Sequence, residues 1–188
     1  DCNVYVRSQK AGERVLLSLR KLYDKLHLKV NEKKTEVGLV FGRKFLGYCL
    51  RRWTKGTVKI AVAPKALDTF KQRIRLITSR VGGKGMAQIA EQMQAYLPGW
   101  KSYFRLAQTP QIFKNLDSWM RHRLRAIQLK HWRRGSTIYS RLRAIGASHD
   151  LAALVAGGGG RWWSHSGSGL NLVLTVKYFD DLGIPRLT

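Results

Sequence analysis

Residues 121–134 carry Arg121, Arg123, Arg125, Lys130, Arg133 and Arg134 without one carboxylate. Guanidinium groups set along a helix suit bidentate phosphate contact and stacking on exposed bases. A helix face that is merely solvated tolerates mixed signs, and mixed signs add support between residues four apart. Arg121 and Arg125 instead repel by roughly a few tenths of a kcal/mol, a cost that phosphates lying between them would offset. Aromatic side chains interleave with cations at Trp100-Lys101-Ser102-Tyr103-Phe104-Arg105 and at His131-Trp132-Arg133-Arg134. Single-strand binders stack unpaired bases on rings so placed. The helical spacing of Trp100, Phe104, Trp119 and Trp132 favours a core role for these four, while Tyr103 reads as open.

Other chemistries find little support. The 11 acidic residues are dispersed, and no two have the spacing of a catalytic carboxylate pair. There is no Walker loop, His-x-x-x-His or Gly-x-Ser-x-Gly. His122 and His131 read as surface or backbone-bonded imidazoles, because a general base also needs an orienting partner. A phosphate cradle needs a strand before it and a helix N-terminus after it, so the glycines at 157–160 read as a flexible link. Cys2 and Cys49 form no zinc-ligand spacing and read as buried small apolar side chains in a reducing, cytoplasmic setting.

The composition is that of a folded basic protein. Of 188 residues, 44% are hydrophobic, and 35 Lys and Arg against 11 Asp and Glu give a net charge of +24. That is too apolar for a disordered basic tail and too poor in cysteine for a disulfide scaffold. No stretch approaches the ~20 apolar residues of a membrane span, and the first residues lack a signal-peptide pattern. A sequence pI near 10.8 points to a polyanionic partner, most simply nucleic acid. Charge is uneven: 11 basic and 5 acidic residues in 1–48, 21 and 3 in 49–147, and 3 of each in 148–188. The middle segment therefore holds the cations, and the last reads as a neutral cover or anchor.

The elements that must position these groups are set by periodicity. Alternation in 2–6 predicts a strand, and the stripe Val15, Leu16, Leu19, Leu22, Tyr23 and Leu26 predicts a helix over 13–26. Short strands are expected at 28–30 and 37–40 around a polar turn at 31–35. Strands at 45–50 and 57–62, joined by a gap containing Gly56, predict a β-hairpin. Pro64 suits the first turn of a helix whose apolar stripe is Leu67, Phe70, Ile74 and Ile77. A helix over 86–96 should break or kink at Pro98-Gly99 before 100–106. A long helix is expected over 111–134, then short ones over 137–145 and 149–156. Trp162, Trp163, Tyr178 and Phe179 imply that the loop-rich tail docks on something. The fold class is α+β in 1–62 and all-α in 63–156. Three segments are drawn: 1–62, 63–147 and 148–188.

Several blocks, in order, resemble the reverse transcriptases encoded by group II introns. Asp1-Cys2-Asn3-Val4-Tyr5 is similar to the stretch directly after the first Asp of the family's Tyr-x-Asp-Asp signature. Leu28-Lys29-Val30-Asn31-Glu32-Lys33-Lys34-Thr35 resembles its Leu-x-x-Asn-x-x-Lys-Thr block, and Phe45-Leu46-Gly47-Tyr48 its primer-gripping hairpin. The segment 70–104, with Arg73-Ile74 and Tyr96-Leu97-Pro98-Gly99-Trp100-Lys101-Ser102-Tyr103-Phe104, resembles the maturase-specific, or thumb, domain. Leu170-Asn171 and Tyr178-Phe179-Asp180-Asp181-Leu182-Gly183-Ile184-Pro185 are similar to that family's C-terminal ending.

The resemblance implies a partial palm at 1–62, a mainly helical thumb and maturase domain at 63–147, and a neutral helix and tail at 148–188. It implies Asp1 as the one catalytic and metal-ligating carboxylate present, with Mg²⁺ serving the parent enzyme and this chain inactive alone. It implies no endonuclease segment after the thumb. Group II intron RNA, an RNA–DNA primer-template and an N-terminal reverse-transcriptase portion are the implied partners, with no membrane. The residues expected to touch nucleic acid are Lys33, Lys34, Phe45, Leu46, Gly47, Tyr48, Lys71, Arg73, Lys101, Tyr103, Arg121, Arg123, Arg125, Lys130, Arg133 and Arg134. A stand-alone RNA-binding maturase module and a basic helical DNA-binding protein are the competing readings.

Overall fold

The computed structural model describes residues 2–79, 81–167 and 169–188. Asp1, the expected catalytic residue, lies outside them. Helix α1 (Gln9–Lys25) begins at Ser8, whose hydroxyl accepts from the Ala11 N–H at 3.3 Å, relieving one orphan donor of the first turn. Strands β1 (Lys44–Phe45), β2 (Tyr48–Arg52) and β3 (Val58–Val62) form one antiparallel sheet in that order. Cys49 faces Ala61 and Leu50 faces Ile60 across the β2–β3 ladder. The outer edge of β3 is capped by Gln108. Its side chain accepts from the Ile60 N–H at 3.0 Å, and its own N–H donates to the Ile60 carbonyl at 2.8 Å. At Ile60 the edge is thereby closed to another chain.

The helical part comprises α2 (Pro64–Ile77), α3 (Met86–Tyr103), α4 (Pro110–Trp132), α5 (Gly135–Ala144), α6 (His149–Ala156), α7 (Trp162–His165) and α8 (Val176–Asp181). Pro64 and Pro110 stand in first turns, where a missing N–H costs nothing. One core runs from Val62 through Phe70, Met93, Trp100, Met120 and Leu124 to Phe179, Ile184 and Leu187 in the tail. Rings join the sheet to it: Tyr48 to Phe104 at 5.2 Å, Phe104 to Trp100 at 4.6 Å, and Trp100 to Phe70 at 4.4 Å. Trp100 and Phe104 are buried, and Trp119 and Trp132 are half-buried against the core.

The α+β reading, mainly helical after residue 63, holds. Several finer expectations do not. Residues 2–6, 28–30 and 37–40 form no strand. Alternation supplies a pleat but not a ladder, and among the described residues no neighbouring strand pairs with them. Phe41 alone makes a bridge, to Leu50. Cys2 is exposed rather than buried, while Cys49 is buried. Among the described residues before Cys49, only Gly12 is buried, where a side chain would collide with Val37.

Helix α3 runs unbroken through Pro98. Leu97 and Trp100 are both buried while Pro98 and Gly99 face solvent. Core burial on either side therefore holds the helix despite the local breaker.

Candidate nucleic-acid interface

The arginines of α4 do not face outward together. Asp117, Arg121 and Arg125 lie four residues apart, hence on one stripe of the helix, and that stripe grips the C-terminal segment. Arg121, only 2% exposed, donates to Asp180 Oδ1 at 3.1 Å and to the Ile184 and Pro185 carbonyls at 3.4 Å. Arg125, 8% exposed, donates from Nε to the Leu174 carbonyl at 2.9 Å. Asp117 accepts from the Leu187 N–H at 3.0 Å, and from the N–H and hydroxyl of Thr188 at 3.0 and 2.9 Å. Arg123 turns to another face and donates to the hydroxyl and carbonyl of Thr78 at 2.9 and 3.3 Å, with its guanidinium 5.4 Å from the Trp119 ring.

This corrects the expected phosphate contacts of Arg121 and Arg125. Carbonyl oxygens and a carboxylate from the tail occupy the place assigned to phosphates. Burial lowers the affinity of both guanidiniums for their protons, although arginine stays charged throughout the ordinary pH range. The expectation that the tail docks is met. Leu174, Phe179, Ile184 and Leu187 are its buried anchors, and Thr175 caps α8 by accepting from the Tyr178 N–H at 3.2 Å. Gln94 of α3 adds a donor to the Gly183 carbonyl at 2.6 Å.

Two groups at this contact make stability acid-sensitive. His122, 3.1 Å from the Trp163 carbonyl oxygen, has its pKa lowered by burial, which outweighs that contact. Asp180 has its pKa lowered chiefly by the hydrogen bond from Arg186. In both cases the folded protein binds the proton less readily than the unfolded chain does. The stability they contribute is full above the unfolded pKa and is lost as pH falls through the folded one. The window opens just below ~6.5 for His122 and just below ~3.9 for Asp180. Urea midpoints measured against pH should therefore fall in two stages. His122→Gln should abolish the upper stage and spare the lower, and an upper stage that survives would reassign it.

The outward-facing candidates form two groups. In the first, the turn between β1 and β2 meets the end of α3. The Tyr48 hydroxyl donates to the Tyr103 carbonyl, and the Tyr103 hydroxyl donates to the Leu46 carbonyl at 3.0 Å. Leu46 and Gly47 both have positive φ, 49° and 77°. A side chain at Gly47 would stand 3.1 Å from the Phe104 ring, so the turn needs glycine there on two counts. Phe45, Leu46 and Tyr103 are exposed, and Tyr48 is half-buried. Local residue spacing carries no trace of this reciprocal pairing, since the partners lie 55 and 57 residues apart.

In the second group, Arg133 and Arg134 stand exposed at the α4–α5 junction. Arg133 has φ 59° and Arg134 caps α5, so the backbone fixes both. Lys130 is half-buried one turn earlier. Arg73, Lys101, Lys33 and Lys34 are exposed and Lys71 is half-buried, on other parts of the surface. The Lys101 ammonium also lies 3.5 Å from the Arg186 carbonyl. Arg75, Arg105, Lys114 and Arg141 are further exposed cations on these helices and their ends.

Among the described residues no three His, Cys, Asp or Glu side chains gather so as to hold a metal ion. Among them, too, no helix is long and apolar enough to cross a membrane. No curated protein matches the chain. A family model does: the group II intron, maturase-specific domain, over residues 67–146. That span covers most of α2, all of α3 and α4, and α5, and it carries sixteen Lys and Arg against three carboxylates. One of the three, Asp117, is taken up by the tail. Residues 67–146 are thus similar to the maturase-specific domain of group II introns.

Proposed function

We propose that this chain is the C-terminal portion of a group II intron reverse transcriptase and maturase, and that its helical unit binds the intron RNA. The observation that carries the reading is the cation surplus that remains outward on the maturase-specific domain after Arg121 and Arg125 are taken inward. Helical RNA is bound mainly through phosphates, 2′-hydroxyls and shape, which is what exposed arginines and lysines on rigid helices fit. Splicing support follows from that contact: a protein that binds only the folded intron shifts the RNA toward that fold by mass action.

In the parent enzyme, residues 2–62 would complete the palm of an RNA-directed DNA polymerase. The turn at Leu46 and Gly47, held by Tyr103, would lie against the primer strand. Leu17, Leu22, Leu26 and Leu28 are more than half exposed, as fits a face that the rest of a palm would cover. Two Mg²⁺ ions would supply Lewis-acid activation there. The described residues of this chain do not by themselves form a site for them.

The test is binding of the chain to a transcribed group II intron against an unrelated structured RNA of equal length. Tighter binding to the intron at moderate salt is expected. Equal affinity at every salt concentration would leave a basic protein without the maturase role.

A further inference from the structure

We infer that the far end of the β2–β3 hairpin is a second nucleic-acid contact, in which the Trp53 ring stacks on an unpaired RNA base. The inference rests on the RNA-binding reading above and adds to it a site and a type of RNA. No carboxylate occurs between Glu36 and Asp68, while Arg43, Lys44, Arg51, Arg52, Lys55, Lys59 and Lys65 do. Glu36 itself is paired with Arg43. Within this run Arg51 stands directly opposite Lys59 across the ladder. Like charges so placed destabilise a hairpin, and an anion between them reverses the sign.

The aromatic part is as specific. Trp53 is 48% exposed, and the Lys59 ammonium sits 4.3 Å from its ring centroid. On the strand before it, the Arg52 guanidinium lies 5.2 Å from the Phe41 ring. The backbone that carries Trp53 is closed into a turn: the Trp53 main-chain N–H donates to the Thr57 carbonyl at 2.7 Å, and the Thr57 hydroxyl donates to the Thr54 carbonyl at 2.8 Å. Gly56 closes the turn at φ 73°. A large exposed ring carried on a closed turn, with a cation over it, is the arrangement that stacks bases in sequence-tolerant single-strand binding. Paired bases keep their faces within the duplex, so the ring selects an unpaired nucleotide. The place is distinct from the Leu46–Gly47 turn, which lies roughly 20 Å away along β2.

The test uses the full chain with two probes: a short oligouridylate and a fully paired RNA duplex. Trp53→Ala should weaken oligouridylate binding about tenfold and leave duplex binding unchanged, whereas Trp53→Phe should retain most of it. Replacing Arg51 and Lys59 by Gln should lower the salt slope on the oligouridylate by about 0.7 per cation removed. An unchanged oligouridylate affinity in Trp53→Ala would overturn the inference and leave the RNA-binding reading standing. Equal losses on both probes would also overturn it, since stacking has no reason to act on paired bases. Wild-type chain that binds neither probe would remove the RNA-binding reading and this site together.

Discussion

Asp180→Ala should cost the fold about 3 kcal/mol, while Arg121→Met, on the other side of the same contact, should cost little or even stabilise. Arg121 is 2% exposed, and among the described residues Asp180 is the one carboxylate that bonds to it. Removing that carboxylate leaves a buried cation hydrogen-bonded only to the Ile184 and Pro185 carbonyls at 3.4 Å, with the charge of Asp117 one turn away as partial compensation. Breaking a buried pair from one side costs about 3–5 kcal/mol, because the remaining charge stays desolvated. The lower end applies because Asp180 is itself 27% exposed, which admits water. Replacing the cation instead removes the desolvation cost together with the attraction. The Nε and Nη1 atoms of Arg121 are buried without a partner, which strengthens the case for an apolar substitute. Asp180 keeps its bond from Arg186 in that variant. Urea unfolding of both single variants and the double variant completes the cycle, and the double should regain most of the loss. Equal costs for the two single changes would mean that the contact acts as an ordinary surface ion pair.

That asymmetry also explains what the sequence could and could not reveal. Leu67, Phe70, Ile74 and Ile77 announce α2 because a helix with one wet face writes its burial at a 3.6-residue period. Helix α4 does not have one wet face. Leu124, Arg125, Ala126, Ile127, Gln128 and Leu129 are six consecutive buried residues, so the helix is covered all round there. No local pattern tells which arginines of such a helix turn inward. The answer lies 59 residues away, in Asp180.

The opposite failure occurs at the N-terminal end. The alternation of Cys2, Val4 and Val6 is legible, yet a strand also needs a neighbour to pair with, and a single sequence cannot supply one. Helix α3 has no break at Pro98-Gly99, for a third reason. Pro98 and Gly99 are strong local breakers, and their cost is overridden by Leu97 and Trp100 in the core. The tail was legible in kind, from its aromatic residues and zero net charge. Its docking place was not, because Asp117, Arg121 and Arg125 read as surface charges until their partners are known.

The division between inward and outward arginines makes the second large prediction. Binding of the chain to intron RNA should fall about a thousandfold between roughly 50 and 200 mM salt if about six phosphates are contacted. Arg133→Gln with Arg134→Gln should lower the slope of log affinity against log salt by about 1.8, at ~0.9 per duplex phosphate released. Both side chains are exposed at a junction whose backbone is fixed by the turn after Trp132, where the Arg134 N–H donates to the Trp132 carbonyl at 2.7 Å. Arg121→Met should leave the slope unchanged, because a guanidinium already bonded to Asp180 and two carbonyls releases no RNA counterion. The comparison is informative because both changes remove positive charge from the same stretch of sequence. A uniform field from net charge alone would flatten the slope in each; contact chemistry flattens it only where the charge reaches phosphate. Loss of slope in folded Arg121→Met would mean that the tail leaves α4 when RNA binds and that the buried stripe is exposed in the complex.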